Sequence, residues 1–438
     1  MNIFRNVLTA ALLCAGVTLS AADLYVSQQT GKKKGPGTKE APFKTINDAV
    51  KKAAPGDVIH IAAGKYVGKL GVSEIIVDTA VSLVGSYSPD FSQRDIAKFT
   101  TLIQPANEKN DTVGKGLLTL NPPAGPGPDM VIDGIVLDQG CMNSYHAVEG
   151  KPEGVETGMW LEPPQKGPKD KYPSAAQVYS IYKETQNRYQ GNITIRNCVI
   201  ANAGNFGINI SHYAGSISIV NNVFVACRMM SCCVSCSNVK PGSTTVEFAY
   251  NTVLFSWSRT KEMTDMGYGF ECISKVTSNI HHNIFGLNSY AGVKNDKGDP
   301  KTKSVKLDNN IFFLNKTADV TAVKSPNQLK LRVDDEAFED MAEFPGMASV
   351  EGNVSLKDPA KFKGIINGAY LAGFLSATYK EKTDFDPNSP ANVFRSALGL
   401  NQQGTIKSKV SMFCNRYPLA ETYKLFGAVE GFGAQAVK

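Results

Sequence analysis

Six short segments of this 438-residue chain carry polar or chargeable residues at alternate positions: GMWLE (158–162), GINIS (207–211), CCVSC (232–236), FECIS (270–274), GVKND (292–296) and DVTAV (319–323). Taken as strands with their apolar members inward, they send Trp160, Glu162, Asn209, Ser211, Glu271, Ser274, Lys294 and Thr321 outward. Strands stacked as successive coils lie about 4.8 Å apart, so the outward residues would form one row. Glu271 and Lys294 then stand side by side, with Asn209 and His212 two coils away. Trp160 and Arg259 belong to insertions placed to overhang that row.

Such a row suits β-elimination on an anionic sugar polymer. The C5 proton beside a uronate carboxylate is very weakly acidic until the carboxylate is neutralised. A cation supplies that neutralisation and a base removes the proton. Two facing carboxylates, Glu162 and Glu271, would instead fit glycoside hydrolysis. A face of hydroxyls and amides alone would fit binding without chemistry. Structural readings stand beside each of these. Lys294 can simply pair with Glu271 across adjacent strands. Arg228 and Arg259 can be surface residues, His212 a turn residue rather than a general acid, and Trp160 a wedge rather than a sugar platform.

The elements that would hold this row repeat one phrase, an apolar run, an Asn, then another apolar run. It occurs in ITIRNCVI (193–200), SIVNNVFV (218–225), EFAYNTVL (247–254), NIHHNIF (279–285) and KLDNNIFFL (306–314). Aligning Asn197, Asn222, Asn251, Asn283 and Asn310 gives a period of roughly 30 residues, the signature of a solenoid whose units must stack to bury a core. The repeats are β-branched and aromatic, with no helical period, and so predict an all-β fold, a parallel β-helix. Stacked Asn side chains would satisfy buried backbone groups at each turn.

Residues 1–22 read as an export signal: Arg5, an apolar run Val7–Leu19, then Ser20-Ala21-Ala22 as a small-residue cleavage pattern. The run is too short to span a bilayer, and no later segment approaches a transmembrane length. The expectation is a secreted, periplasmic or cell-surface protein. Losing Arg5 leaves 45 basic against 40 acidic residues, or +5. That mild excess favours an anionic partner, but aromatic and basic residues are not interleaved as nucleic-acid binding requires. An anionic polysaccharide is the expected partner, and a monomer the expected state. Eight cysteines remain after processing (141, 198, 227, 232, 233, 236, 272 and 414), read as small core residues or as one or two disulfides.

Within residues 24–68, Pro42 is placed to start a helix whose stripe is Phe43, Ile46, Ala49, Val50 and Ala53, with Pro55-Gly56-Asp57 as its stop. A helix there would cover the open end of the solenoid. The expected organisation is a β-helix over 23–325 with an insertion at 140–190, and a last coil and irregular cap over 326–438.

The succession YVS, PGT, PFKTI, AV, A-PGD-I and GKY resembles the amino-terminal cap of right-handed parallel β-helix proteins. That group includes the polysaccharide lyases acting on pectate, alginate and glycosaminoglycans. The resemblance covers about 45 residues closely and the repeats to about residue 325 as pattern only. It implies a Lys or Arg base, often with calcium on the substrate carboxylate. Lys294 would be that base, Arg259 or Arg228 the neutralising cation and His212 a general acid. Trp160, Asn209 and Glu162 would contact substrate, and Glu271 with Asp296 would hold Ca2+. The chain lacks the grouped Asp motifs of polygalacturonase-type hydrolases, the DPH run of alginate epimerases and the R-x-P-x-x-R run of the major pectate lyases.

Overall fold

The computed structural model describes residues 21–68, 73–105, 115–139, 179–225, 227–256, 267–288, 290–357 and 429–437, with three single positions between the last two. Each coil contributes one strand to each of three sheets of ten, nine and nine strands. The coil that begins at Ile193 shows the plan: Ile193–Arg196 in the first sheet, Val199–Ala201 in the third, Phe206–His212 in the second. Neighbouring coils pair in parallel and mostly in register, as in Ile193↔Ile217 and Ile195↔Ile219. The architecture is the right-handed parallel β-helix expected from the repeats, with the hand of nearly all parallel crossovers.

Like residues stack on like inside the rod. Ile195, Ile219, Phe248, Ile280 and Leu307 occupy one register column and are all fully buried. The rings of Phe248, Phe285 and Phe312 stack at 6.0 and 5.3 Å, each pair 16° from parallel. Burial of each such side chain contributes roughly 1.5–3 kcal/mol.

The turn from first to third sheet explains the Asn repeat. Asn222, Asn251, Asn283 and Asn310 are fully buried, and each side-chain oxygen accepts the N–H of the equivalent residue one coil earlier, at 2.8–3.1 Å. Asn353 continues the ladder beneath Asn310. The residue before each ladder position is left-handed: Asn197 (φ 54°), Asn221 (61°), Tyr250 (53°), His282 (55°), Asn309 (54°) and Gly352 (64°). Asn197 therefore belongs to the left-handed set, and Cys198 holds its coil's ladder position. The phrase ITIRNCVI has its one Asn at 197 and a Cys at the ladder position, so aligning by asparagine put it one residue out of step.

The amino-terminal helix is shorter than its stripe. It runs Ile46–Val50, because Thr45 accepts the Asp48 N–H at 3.1 Å and caps it. Phe43 instead bridges to Val26 as extended chain. The expected insertion at 140–190 ends before Tyr179, since Tyr179–Lys183 is a full strand between the strands at 116–120 and 206–212. At the other end, Asn327–Leu331 turns back antiparallel on Ala318–Lys324, and Met347–Glu351 with Val354–Leu356 add another coil. Residues 429–437 return to the side of the rod, where Gly433 N–H donates to the His282 carbonyl (2.7 Å) and Ala434 N–H to Thr252 Oγ1 (2.9 Å). Cys198, Cys227, Cys232, Cys233, Cys236 and Cys272 are free thiols; Cys141 and Cys414 lie outside the described residues. No helix among the described residues is long and apolar enough to cross a membrane.

Candidate functional site

The outer face of the second sheet carries two rows of side chains. The first joins the expected Asn209, Glu271, Lys294 and Thr321 with Tyr182 and Cys233 in unbroken register: Tyr182↔Asn209↔Cys233↔Glu271↔Lys294↔Thr321. The second was not legible from strict alternation. It runs Phe206↔Met230↔Tyr268↔Ala291↔Ala318, three residues earlier on each strand. Two consecutive inward positions separate the rows. Gly207, Gly269 and Gly292 take the first of these, where an added Cβ would meet Cys227 Sγ at 2.9 Å, Phe285 Cδ1 at 2.6 Å and Phe312 Cδ1 at 2.7 Å. Glycine thus lets the strand face inward twice and returns the next side chain to the outside.

At the centre, Glu271 is 2% exposed. Its Oε1 lies 3.5 Å from Lys294 Nζ and 3.8 Å from Lys297 Nζ, while Cys233 Sγ donates to Oε2 at 3.4 Å. Burial, and then the Glu271 charge, push the Cys233 thiol well up, so it stays a neutral donor. Lys294 Nζ also sits 4.7 Å above the Tyr268 ring. Two ammonium groups thus converge on one carboxylate oxygen. Removing one partner of so buried a pair costs roughly 3–5 kcal/mol.

Around this pair lie polar atoms with nothing to bond. Ser211 Oγ and Thr321 Oγ1 are buried and make no hydrogen bond, nor does Asn205 Oδ1 just before Phe206, while Glu271 Oε1 has only the two lysines. Buried polar groups are ordinarily satisfied; further unbonded atoms, on His212 and Asn295, lie off the two rows.

The candidates read from sequence are distributed unevenly. Glu271 and Lys294 are direct register partners, and Asn209 is half-buried two coils from Glu271. His212 faces the interior beyond Ile208 and Ile210, with no exposed surface, 6.3 Å from the Tyr189 ring. Burial, and then the charge of Lys183, hold its imidazole down to about 4, so near neutral pH it has no proton to give as a general acid. Arg228 is fully buried and is not a cation on the open face. Trp160, Glu162 and Arg259 lie outside the described residues.

Calcium needs clustered oxygen donors. Glu271 faces two lysines, Asp296 accepts from the Gln328 amide, and among the described residues no three His, Cys, Asp or Glu side chains converge. Glu271 and Asp296 as placed do not fit a calcium ion. The residue missed was Lys297, three beyond Lys294 in the run KNDK, where the chain has left its strand and alternation no longer applies. Also missed were Tyr179, Tyr182 and Phe206, rings on the open end of the face.

A family described as "Protein of unknown function (DUF1565)" matches residues 29–92, the capping helix and first coils. No curated protein matches the chain. Among solved structures, the GH136 lacto-N-biosidase from Eubacterium ramulus is similar in its selenomethionine derivative at 11% identity and TM-score 0.28, covering 77% of this chain and 68% of that one. The native form of that enzyme gives 10% identity and TM-score 0.26 over the same shares.

Proposed function

We propose that this protein acts outside the cytoplasm on an extended acidic polysaccharide, which it binds along the outer face of the second sheet and cleaves by β-elimination. The observation that carries the reading is the convergence of Lys294 and Lys297 on buried Glu271, among hydrogen-bonding groups that have no partner in the protein. In this scheme Lys297, whose side chain is 64% exposed, neutralises a uronate carboxylate. Lys294, held over Tyr268, acts in its neutral amine form and takes the C5 proton; the C5–H electron pair forms the C4–C5 double bond, the C4–O bond breaks, and the leaving oxygen takes a proton from water. Glu271 positions both amines. Lys297 takes the part that the sequence had given to Arg228 or Arg259.

Ultraviolet absorbance of the unsaturated uronate tests this on pectate, alginate and glycosaminoglycans. Lys294→Ala is expected to reduce the rate on the order of 100- to 10,000-fold, the usual worth of a general base. Lys297→Ala should lower kcat as well as raise KM, because the neutralising charge acts on the transition state. Absence of new absorbance from folded wild-type protein across the panel would remove the elimination reading.

A second reading, glycan binding without cleavage, is favoured by the Lys294–Glu271 ion pair itself. A lysine engaged with a carboxylate serves as a fixed cation, and hydroxyls and amides predominate elsewhere in the row. Retention of wild-type protein on an immobilised polymer that it leaves uncut would support that alternative.

A further inference from the structure

We propose that the open end of this face, at Tyr182 and Phe206, is a stacking subsite for one pyranose ring of a glycan lying along the rod axis. The proposal rests on the reading of the face as a glycan site and adds a location, a direction and a recognition chemistry to it.

Tyr179 and Tyr182 stack at 5.0 Å, 13° from parallel, and Phe206 meets Tyr179 edge-on at 5.7 Å. All three are half-buried, whereas Tyr268, two coils beyond Phe206 in the same row, is 1% exposed. The aromatic row is therefore closed beside Lys294 and open at Tyr182. Interior aromatics of this rod are fully covered, so partly exposed rings grouped on a sheet face need another account.

Their surroundings suit a sugar. A pyranose offers an apolar C–H face to a ring and hydroxyls around its edge. Asn209 is the register neighbour of Tyr182, and Ser211 Oγ, on the same strand as Asn209, is buried without a partner. Lys115, paired with Glu184 at 2.7 Å, lies 5.5 Å above the Tyr182 ring, so a sugar ring stacking on that face would take the place of its ammonium group.

Geometry sets the direction. Tyr182 and Lys294 occupy the same row four coils apart, which at the usual strand spacing is roughly 19 Å. A chain that reaches both must run parallel to the rod axis, crossing Asn209, Cys233 and Glu271 between them. The ring subsite then holds an uncharged face of the polymer while the lysines hold a carboxylate.

The test uses the full chain with Tyr182→Ala, Tyr182→Phe, Phe206→Ala and Tyr25→Ala, the last on a different sheet. Folding of each is checked by near-ultraviolet circular dichroism. Affinity for pectate, alginate and chondroitin sulfate is measured by calorimetry, and elimination is followed separately. Tyr182→Ala and Phe206→Ala are each expected to weaken binding of whichever polymer the wild type prefers by roughly tenfold, about 1.4 kcal/mol. Tyr182→Phe keeps the ring and should restore most of the affinity lost in Tyr182→Ala, and Tyr25→Ala should leave binding unchanged.

Wild-type affinity retained in both alanine variants would overturn the subsite while leaving the glycan reading in place. Absence of wild-type binding to every polymer would overturn both. Ring-dependent binding without elimination would support the subsite and remove the lyase chemistry alone.

Discussion

Asn251→Ala should be among the most damaging substitutions of a polar residue in this chain. Asn251 has no exposed surface. Its Oδ1 accepts from Asn222 N–H and Asn222 Nδ2, both at 3.0 Å, and its Nδ2 donates to the Ile219 carbonyl at 2.8 Å and to Asn283 Oδ1 at 3.1 Å. Two of the four partners keep another bond after the change. Asn222 Nδ2 still reaches the Ile195 carbonyl, and Asn283 Oδ1 still accepts the N–H of residue 251. Asn222 N–H and the Ile219 carbonyl lose this partner in a site closed to water. At 1–3 kcal/mol for each such group, the loss should be about 4 kcal/mol. Asn279→Ala is the control, because its amide bonds Glu247 on the half-buried outer face and should cost under about 1 kcal/mol. Since coils open locally, urea unfolding should be paired with native-state hydrogen exchange of the Asn222 amide. A 4 kcal/mol local loss accelerates exchange by several hundredfold. A stability change below about 1 kcal/mol, with the Asn222 amide still protected, would refute the ladder as a source of stability.

Three further outcomes are expected. His212 is held down to about 4 by burial and then by Lys183, so between 6.5 and 4 the unfolded chain binds the proton that the folded chain refuses. The associated stability, about 3 kcal/mol, should be present above pH 6.5 and lost as pH falls through that window. His212→Asn should flatten this limb of urea midpoint against pH, and an unchanged limb would contradict the assignment. Lys183 is held down to about 8 by burial while donating to the Asn187 and Ser211 carbonyls at 3.0 and 2.9 Å. Stability should therefore rise between pH 8 and 10.5, and Lys183→Met should remove that rise; persistence of the rise would place its origin elsewhere. Gly433 has φ +65°, and a Cβ there would meet Thr252 Oγ1 at 2.6 Å and Ile284 Cδ1 at 2.7 Å. Gly433→Val should undock residues 429–437 and speed proteolysis at the carboxyl terminus, whereas an unchanged cleavage rate would show that the docking is not set by that glycine.

The fold was legible because a solenoid writes its core requirement once per coil. Each coil must satisfy a buried turn, and the asparagines that do so recur in the sequence as Asn222, Asn251, Asn283 and Asn310. The Glu271–Lys294 juxtaposition was legible for the same reason, since parallel register converts repeat alignment directly into contact. What stayed hidden depends on departures from the repeat. Paired inward positions around Gly207, Gly269 and Gly292 brought Tyr268 and Phe206 out, against simple alternation. Lys297 lies past the end of its strand, where no period fixes direction. Arg228 and His212 are hydrophilic by type, yet they lie at corners where the chain passes between sheets and closes over them. Composition carries no sign of such burial.

The most direct test of the proposed chemistry is mass spectrometry of the products made from a uronate polymer in water enriched in heavy oxygen. Elimination breaks the C4–O bond without adding water, so every new non-reducing end should lack the solvent label and carry a double bond, and Lys294→Ala should yield no such ends. Saturated non-reducing ends that keep a C4 hydroxyl, with solvent oxygen on the new anomeric carbon, would identify hydrolysis, and an intact polymer bound along the face would identify binding alone; either result would contradict Lys294 as a base.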